Sequence, residues 1–192
     1  NKMQKVPFVD LLSQYQSIKP VIDKAIENVI TETAFIGGKY VKAFEEAFAS
    51  LYGVKHVISC ANGTDSLYII MKMLGIGAGD EVITVANSWI SSSETITQAG
   101  AKPVFVDIEL SSMNINSDLI EGAITKNTKA IIPVHFAGRP CNMKKIIKIA
   151  NKYNLKIIED AAHAFGAEYY GNKIGTIGDV TAFSFYVTKN LT

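Results

Sequence analysis

The chain has 192 residues, 48% hydrophobic and 19% charged, a balance that excludes a disordered segment and suffices for one sizeable α/β core. Lys and Arg number 19 against 18 Asp and Glu, a formal net charge of +1, so there is no basic footprint for a nucleic acid partner. Cys60 and Cys141 are the only cysteines, which excludes a disulfide framework, gives no metal spacing and fits a reducing cytoplasm, while the apolar runs are too short for a membrane span.

The opening N-K-M-Q-K-V-P lacks the long apolar stretch of a signal peptide. Residues 1–19 read as an arm punctuated by Pro7 and Pro20. Pro20 suits the first turn of a helix running to about Thr31, with Val21, Ile22, Ala25, Ile26 and Val29 on its apolar side. Gly37-Gly38 breaks it. Val41, Phe44, Phe48 and Leu51 then recur at helical spacing until Gly53 closes a second helix.

From there strands and helices alternate. His56–Cys60 reads as a short strand, followed by a helix from Gly63 to Gly75. Glu81–Val85 is a strand, about Ile90–Ala99 a helix, and Lys102–Val106 a strand. Ser117 reads as the N-cap of a helix holding Leu119, Ile120 and Ile124. Thr128–His135 is a strongly apolar strand, Met143–Tyr153 a helix with a lysine-rich outer face, and Leu155–Glu159 a strand. Tyr170-Gly-Asn-Lys173 reads as a tight hairpin turn, and Val180–Tyr186 as the last strand. Repeated β-α units with runs of Val and Ile give an α/β fold, a mostly parallel sheet covered by helices on both faces. Sites in such sheets lie at the carboxyl ends of the strands, so the residues after each strand carry the functional reading.

After the first strand, C-A-N-G-T-D-S opens a helix. Small and hydroxylated residues there offer backbone N–H groups at the positive helix end, a phosphate cradle or an ordinary N-cap. No Gly-Lys-Ser/Thr makes it a P-loop. After the second strand stands Trp89, the single tryptophan, which either stacks on a planar ring or packs under a loop. Asp160 follows the strand Leu155–Glu159. It either holds a cationic ring nitrogen or caps a turn. His163 either donates to a ring oxygen or is a satisfied loop histidine. The last strand supplies Ser184 and then Lys189, a solvated lysine or a nucleophilic amine that forms an imine with a carbonyl cofactor. A phosphate cradle, an aromatic plate, a carboxylate and a lysine together match one ligand, pyridoxal 5′-phosphate, with its phosphate, flat ring, pyridinium nitrogen and aldehyde. A nicotinamide fold does not fit, because Gly75-Ile-Gly-Ala-Gly79 precedes a strand instead of following one.

Several stretches carry a resemblance. V-P-F-V-D-L, F-I-G-G-K-Y-V-K-A-F-E-E-A-F-A, C-A-N-G-T-D-S-L, G-A-G-D-E-V-I-T, A-G-A-K-P-V-F-V-D-I, H-F-A-G-R-P-C-N-M, I-I-E-D-A-A-H-A-F-G and F-S-F-Y-V-T-K-N-L-T run in order along nearly the whole chain. Together they resemble the DegT/StrS family of sugar aminotransferases. The resemblance implies the large domain of pyridoxal-phosphate-dependent transferases of the aspartate-aminotransferase type (fold type I), over residues 20–192 and incomplete at the C-terminus. Family members are about twice as long, so a smaller C-terminal domain is expected to be missing here. It implies that Lys189 carries the cofactor and that Asp160 pairs with the ring nitrogen. Trp89 would stack on the ring, Gly63, Thr64 and Ser184 would bind the phosphate, and His163 would stand near the ring hydroxyl.

The activity implied is a ping-pong transfer of an amino group from an amino acid, glutamate by resemblance, to a nucleotide-linked keto-sugar, in a homodimer. The sugar-dehydrating branch has histidine in place of the lysine, so Lys189 argues for amino transfer. A related dehydratase and a non-catalytic regulatory or interaction protein that keeps the fold are the competing readings.

Overall fold

The computed structural model describes residues 6–191. They fall into two units, residues 6–51 with Lys55–Ser59, and Tyr52–Val54 with residues 60–191.

The first unit holds α1 (Leu11–Thr31) and nearly all of α2 (Lys39–Tyr52). α1 starts at Leu11, not near Pro20, so residues 11–19 are helical. The reason is a cap. The Asp10 carboxylate accepts from the Ser13 N–H at 3.0 Å and from the Ser13 hydroxyl at 2.7 Å, satisfying a first-turn backbone donor well upstream of the proline. Pro20 therefore lies inside the helix, where it removes a backbone donor. A ladder at helical spacing crosses that point: Tyr15 Oη donates to Asp23 at 2.6 Å, and Lys19 pairs with Asp23. α2 forms where the spacing predicts it. Phe44 and Phe48, one turn apart, stand 5.8 Å centroid to centroid. The expected strand His56–Cys60 is not a strand. The stretch is β-prone, but a strand requires a neighbour, and the Ser59 N–H donates to the Glu45 carboxylate at 2.7 Å instead of to a ladder.

The second unit is a five-stranded parallel sheet. Its elements are α3 (Gly63–Met73), β1 (Glu81–Thr84), α4 (Ser91–Ala99), β2 (Lys102–Phe105), α5 (Ile120–Ala123), β3 (Thr128–Ile131), α6 (Met143–Tyr153), β4 (Lys156–Asp160) and β7 (Val180–Ala182), with a small hairpin of β5 (Glu168–Tyr169) and β6 (Asn172–Lys173) before the last strand. The spatial order β2-β1-β3-β4-β7 reverses direction between β1 and β3, which opens a crevice at the carboxyl edge there.

Side chains alternate across the sheet with period two. Ile83, Ile131 and Ile157 join Ile146 and Ile149 of α6 in one core. Val82, Ala130 and Ile158 join Leu67, Met71 and Ile96 of α3 and α4 in the other. The same alternation sends the neighbours Glu159 and Asp160 to opposite faces, Glu159 with Ile157 and Asp160 with Ile158.

Three expected elements are shorter or differently capped. Ser117 is not an N-cap; the Asn116 side chain accepts from the Asp118 N–H at 3.0 Å, and α5 is a single turn starting at Ile120. The strand expected over 128–135 breaks after Ile131 and resumes as a single bridge of Val134 to Asp160. The strand expected over 180–186 stops at Ala182. Phe183 turns onto Tyr52, ring edge to ring at 5.3 Å, and fits only because Gly175 has no side chain: a Cβ there would lie 2.6 Å from the Phe183 ring. The hairpin forms as expected, with Tyr170 and Gly171 at positive φ (49° and 78°) in its turn.

Candidate functional site

Every residue singled out for chemistry lies in the second unit. α3 begins with Asn62 as N-cap, whose side-chain oxygen accepts from the Asp65 N–H at 2.8 Å. That leaves the Gly63 and Thr64 N–H groups without an intrahelical partner at the positive end of an 11-residue helix. The two readings of this stretch are therefore compatible: Asn62 caps, and the next two residues stay open to an anion. Ser184 sits against this turn. A Cβ added to Gly63 would lie 3.0 Å from Ser184 Cβ and 3.2 Å from the Phe183 carbonyl, so glycine is what allows the strand end to approach the helix end. Gly63→Ala is expected to cost about 1–3 kcal/mol through this overpacking, read as a lower melting temperature, and to weaken phosphate binding at the turn. A variant as stable as the wild type, with unchanged phosphate affinity, would contradict that reading.

Asp160 ends β4 and is only 6% exposed. Its Oδ2 accepts from the Ser92 hydroxyl at 2.8 Å and its Oδ1 from the Ala162 N–H at 3.2 Å. No cation reaches it within ion-pair distance among the described residues. A buried carboxylate costs free energy unless paired, and among the described residues the Ser92 hydroxyl and the Ala162 N–H are its hydrogen-bond donors.

Lys189 follows β7 on an irregular segment, where its N–H donates to the Tyr186 carbonyl at 2.7 Å. The ammonium is half-buried and forms no ion pair among the described residues. Burial pushes its pKa below the ordinary lysine value, and the charge of Asp160 opposes that shift. A lowered pKa raises the fraction of free amine, the nucleophilic form. His163 shares this field. Burial and the Lys189 charge push its pKa down while Asp160 acts the other way, which favours the neutral imidazole. Its ring stands edge-on to Phe136 at 6.3 Å. Lys189, Asp160 and His163 thus form one electrostatic group.

Trp89 is 75% exposed, so the alternative of a tryptophan packed under a loop does not hold. Its carbonyl accepts from the Ser92 N–H at 3.3 Å, which ties the ring-bearing residue to the serine that binds Asp160.

Sequence reasoning missed Ser91, Ser92, Glu159 and His135. Ser91 Oγ lies 2.7 Å from Thr64 Oγ1. Glu159 and His135 are both 0% exposed on the opposite face of β4, with His135 Nε2 3.1 Å from Glu159 Oε2. The signal for Glu159 was available, since adjacent acids at the end of a buried strand must point to opposite faces. Ser92 left no sequence signal, as its partner is 68 residues away.

The residues fit pyridoxal phosphate on these observations: an open helix N-terminus that a Cβ would crowd, a buried carboxylate lacking a cation, an exposed indole and a half-buried lysine.

The DegT/DnrJ/EryC1/StrS aminotransferase family model matches residues 16–192. The chain is 45% identical over 186 residues to a pleiotropic regulatory protein of Geobacillus stearothermophilus, covering 97% of this chain and 50% of that one. It is 43% identical over 186 residues to the UDP-2-acetamido-2-deoxy-3-oxo-D-glucuronate aminotransferase of Pseudomonas aeruginosa, covering 97% and 52%. Among solved structures it matches DesV of S. venezuelae, crystallised in complex with a ketimine intermediate, at TM-score 0.95 and 38% identity, covering 98% of this chain and 51% of that one. The chain spans about half the length of the curated relatives it matches.

Proposed function

The chain belongs to the DegT/DnrJ/EryC1/StrS aminotransferase family, which uses pyridoxal phosphate, and from that premise we propose that it binds this cofactor at the carboxyl ends of β1, β4 and β7. The activity proposed is transfer of an amino group from an amino acid, glutamate by resemblance, to a nucleotide-linked keto-sugar. The observation that carries the reading is that Asp160 and Lys189 share one electrostatic field without an ion pair between them: a buried carboxylate, and a half-buried lysine whose pKa burial lowers.

Each residue then has a defined task. The Gly63 and Thr64 N–H groups, with the Thr64 and Ser184 hydroxyls, hold the phosphate. Trp89 covers one ring face and keeps water from it. Asp160 keeps a proton on the ring nitrogen. His163, neutral, donates a hydrogen bond to the ring oxygen. Bound there, pyridoxal phosphate supplies a conjugated sink for the electrons of a deprotonated carbon. Lys189 is the residue that would hold the cofactor's carbonyl end, and as a neutral amine it would accept a proton from the donor's α-carbon and return it one carbon away.

The cofactor-binding domain is proposed within residues 20–192, in a homodimer. Among the described residues no helix is long and apolar enough to cross a membrane, and Cys60 and Cys141 are unpaired, which supports a cytoplasmic setting.

The test is Asp160→Ala in the intact protein. The variant is expected to keep part of its cofactor and to lose rate in the half-reaction with glutamate by a factor of about 100 or more. A rate within about threefold of wild type would overturn the assignment of Asp160. A regulatory protein that keeps the fold is the second reading, favoured by the similarity to the pleiotropic regulatory protein of Geobacillus; it predicts no turnover with glutamate in the wild type.

A further inference from the structure

We propose that Ser92 is the positioning residue for Asp160, and that the first turn of α4 braces the two ends of the cofactor site against each other. The inference rests on the cofactor reading above. Consecutive residues of this turn reach two separate parts of the site. Ser91 Oγ meets Thr64 Oγ1 at 2.7 Å on the phosphate side. Ser92 Oγ donates to Asp160 Oδ2 at 2.8 Å on the ring-nitrogen side. Trp89, just before them, supplies the ring cover. One helical turn therefore fixes the spacing of phosphate, ring face and ring nitrogen.

The donor directions follow from chemistry. An ionised carboxylate only accepts, so the Ser92 proton points at Asp160. The Ser88 hydroxyl, 3.4 Å from Ser92 Oγ, is then the donor to Ser92. On the other side, a Thr64 hydroxyl that donates to a phosphate must accept from Ser91. Ser91 is in turn held by the helix, since its carbonyl accepts from the Thr95 hydroxyl at 2.7 Å.

Ser92 is 1% exposed and Asp160 6%. A charge-assisted hydrogen bond in that setting is strong and directional. With it, rotation of the carboxylate about its last bond is restrained from Oδ2 by Ser92 and from Oδ1 by the Ala162 N–H. Without it, the Ala162 N–H alone restrains the carboxylate. The ring-nitrogen proton is then held less firmly, the ring withdraws less electron density, and the Lys189-linked chromophore keeps its own proton to higher pH.

The test uses the intact, cofactor-loaded protein with Ser92→Ala and Ser92→Thr. Ser92→Ala is expected to lower kcat about tenfold with the KM for the amino donor within about twofold, and to raise the midpoint of the visible absorbance titration by about half a pH unit or more. Ser92→Thr keeps the hydroxyl and is expected to recover most of both. Ser93→Ala, which removes a hydroxyl that donates to the Ile90 carbonyl, is expected to match wild type in kcat and midpoint. A Ser92→Ala protein with wild-type kcat and titration midpoint overturns the inference. So does one that only melts earlier, with an unmoved midpoint, since that is a packing role. Absence of the visible band in the wild type would instead strike the cofactor reading itself, and this inference with it.

Discussion

Lys189→Ala is expected to reduce turnover by a factor on the order of 10⁴ or more while leaving the fold intact. The lysine stands after the last strand and is anchored through its backbone N–H to the Tyr186 carbonyl, so the substitution removes the amine without removing that anchor. The same variant is expected to be somewhat more stable than wild type when the cofactor is absent. Burial holds the folded-state pKa of Lys189 below its unfolded value, so folding opposes its charge. Below the folded pKa the lysine is charged in both states and weakens the fold; that penalty fades as pH rises from the folded pKa toward the unfolded one. Cofactor-free melting followed from pH 7 into the alkaline range should therefore show wild type closing the gap on Lys189→Ala. Normal turnover by the variant would end the proposed mechanism. A cofactor-free variant less stable than wild type would contradict the placement of the amine in a partly desolvated site.

The second large effect is on stability. Glu159→Ala is expected to cost about 3–5 kcal/mol. The Glu159 side chain is fully buried, and its Oε1 accepts from the Ile177 N–H at 3.1 Å, the Gly178 N–H at 2.7 Å and the Thr181 hydroxyl at 3.2 Å. His135 Nδ1 accepts from the Cys141 N–H at 3.1 Å, which places the ring proton on Nε2, aimed at Glu159 Oε2. Removing the carboxylate strands all of these donors at once. They include the turn that feeds β7, so the segment bearing Ser184 and Lys189 would lose its footing too.

Desolvation raises the Glu159 pKa, but the His135 hydrogen bond and the Gly178 and Ile177 N–H groups outweigh it and hold it below the ordinary glutamate value. The resulting stability is complete above the unfolded carboxylate pKa and is lost as pH falls through the folded one. Wild type should therefore lose stability steeply in acid, and Glu159→Ala should show a shallower slope there. Equal denaturation midpoints for the two proteins at neutral pH would contradict this assignment.

The parallel sheet was legible because its strands are short apolar runs separated by helical periods, and the strand-end rule then pointed to Asp160, Ser184 and Lys189. What sequence could not supply was partnership. Residues 56–60 and 183–186 have the composition of strands, yet no ladder pairs them among the described residues. Pro20 carries the stronger signal for a helix start, and the Asp10–Ser13 cap that sets the start at Leu11 is the weaker one. Asn116 rather than Ser117 holds the turn before α5, a choice between two adjacent polar residues that spacing does not decide. In the site, the residues that would contact a ligand were readable from their positions after strands. The residues that hold them, Ser92 behind Asp160 and Glu159 behind β7, act across long sequence separations and became visible only once the sheet brought the elements together.

The most direct measurement is the mass of the intact protein with pyridoxal phosphate, after borohydride reduction and peptide mapping. The account predicts a stable mass gain confined to the peptide containing Lys189, absent in Lys189→Ala. An intact wild-type protein with no such gain, or with the gain on another lysine, would contradict it.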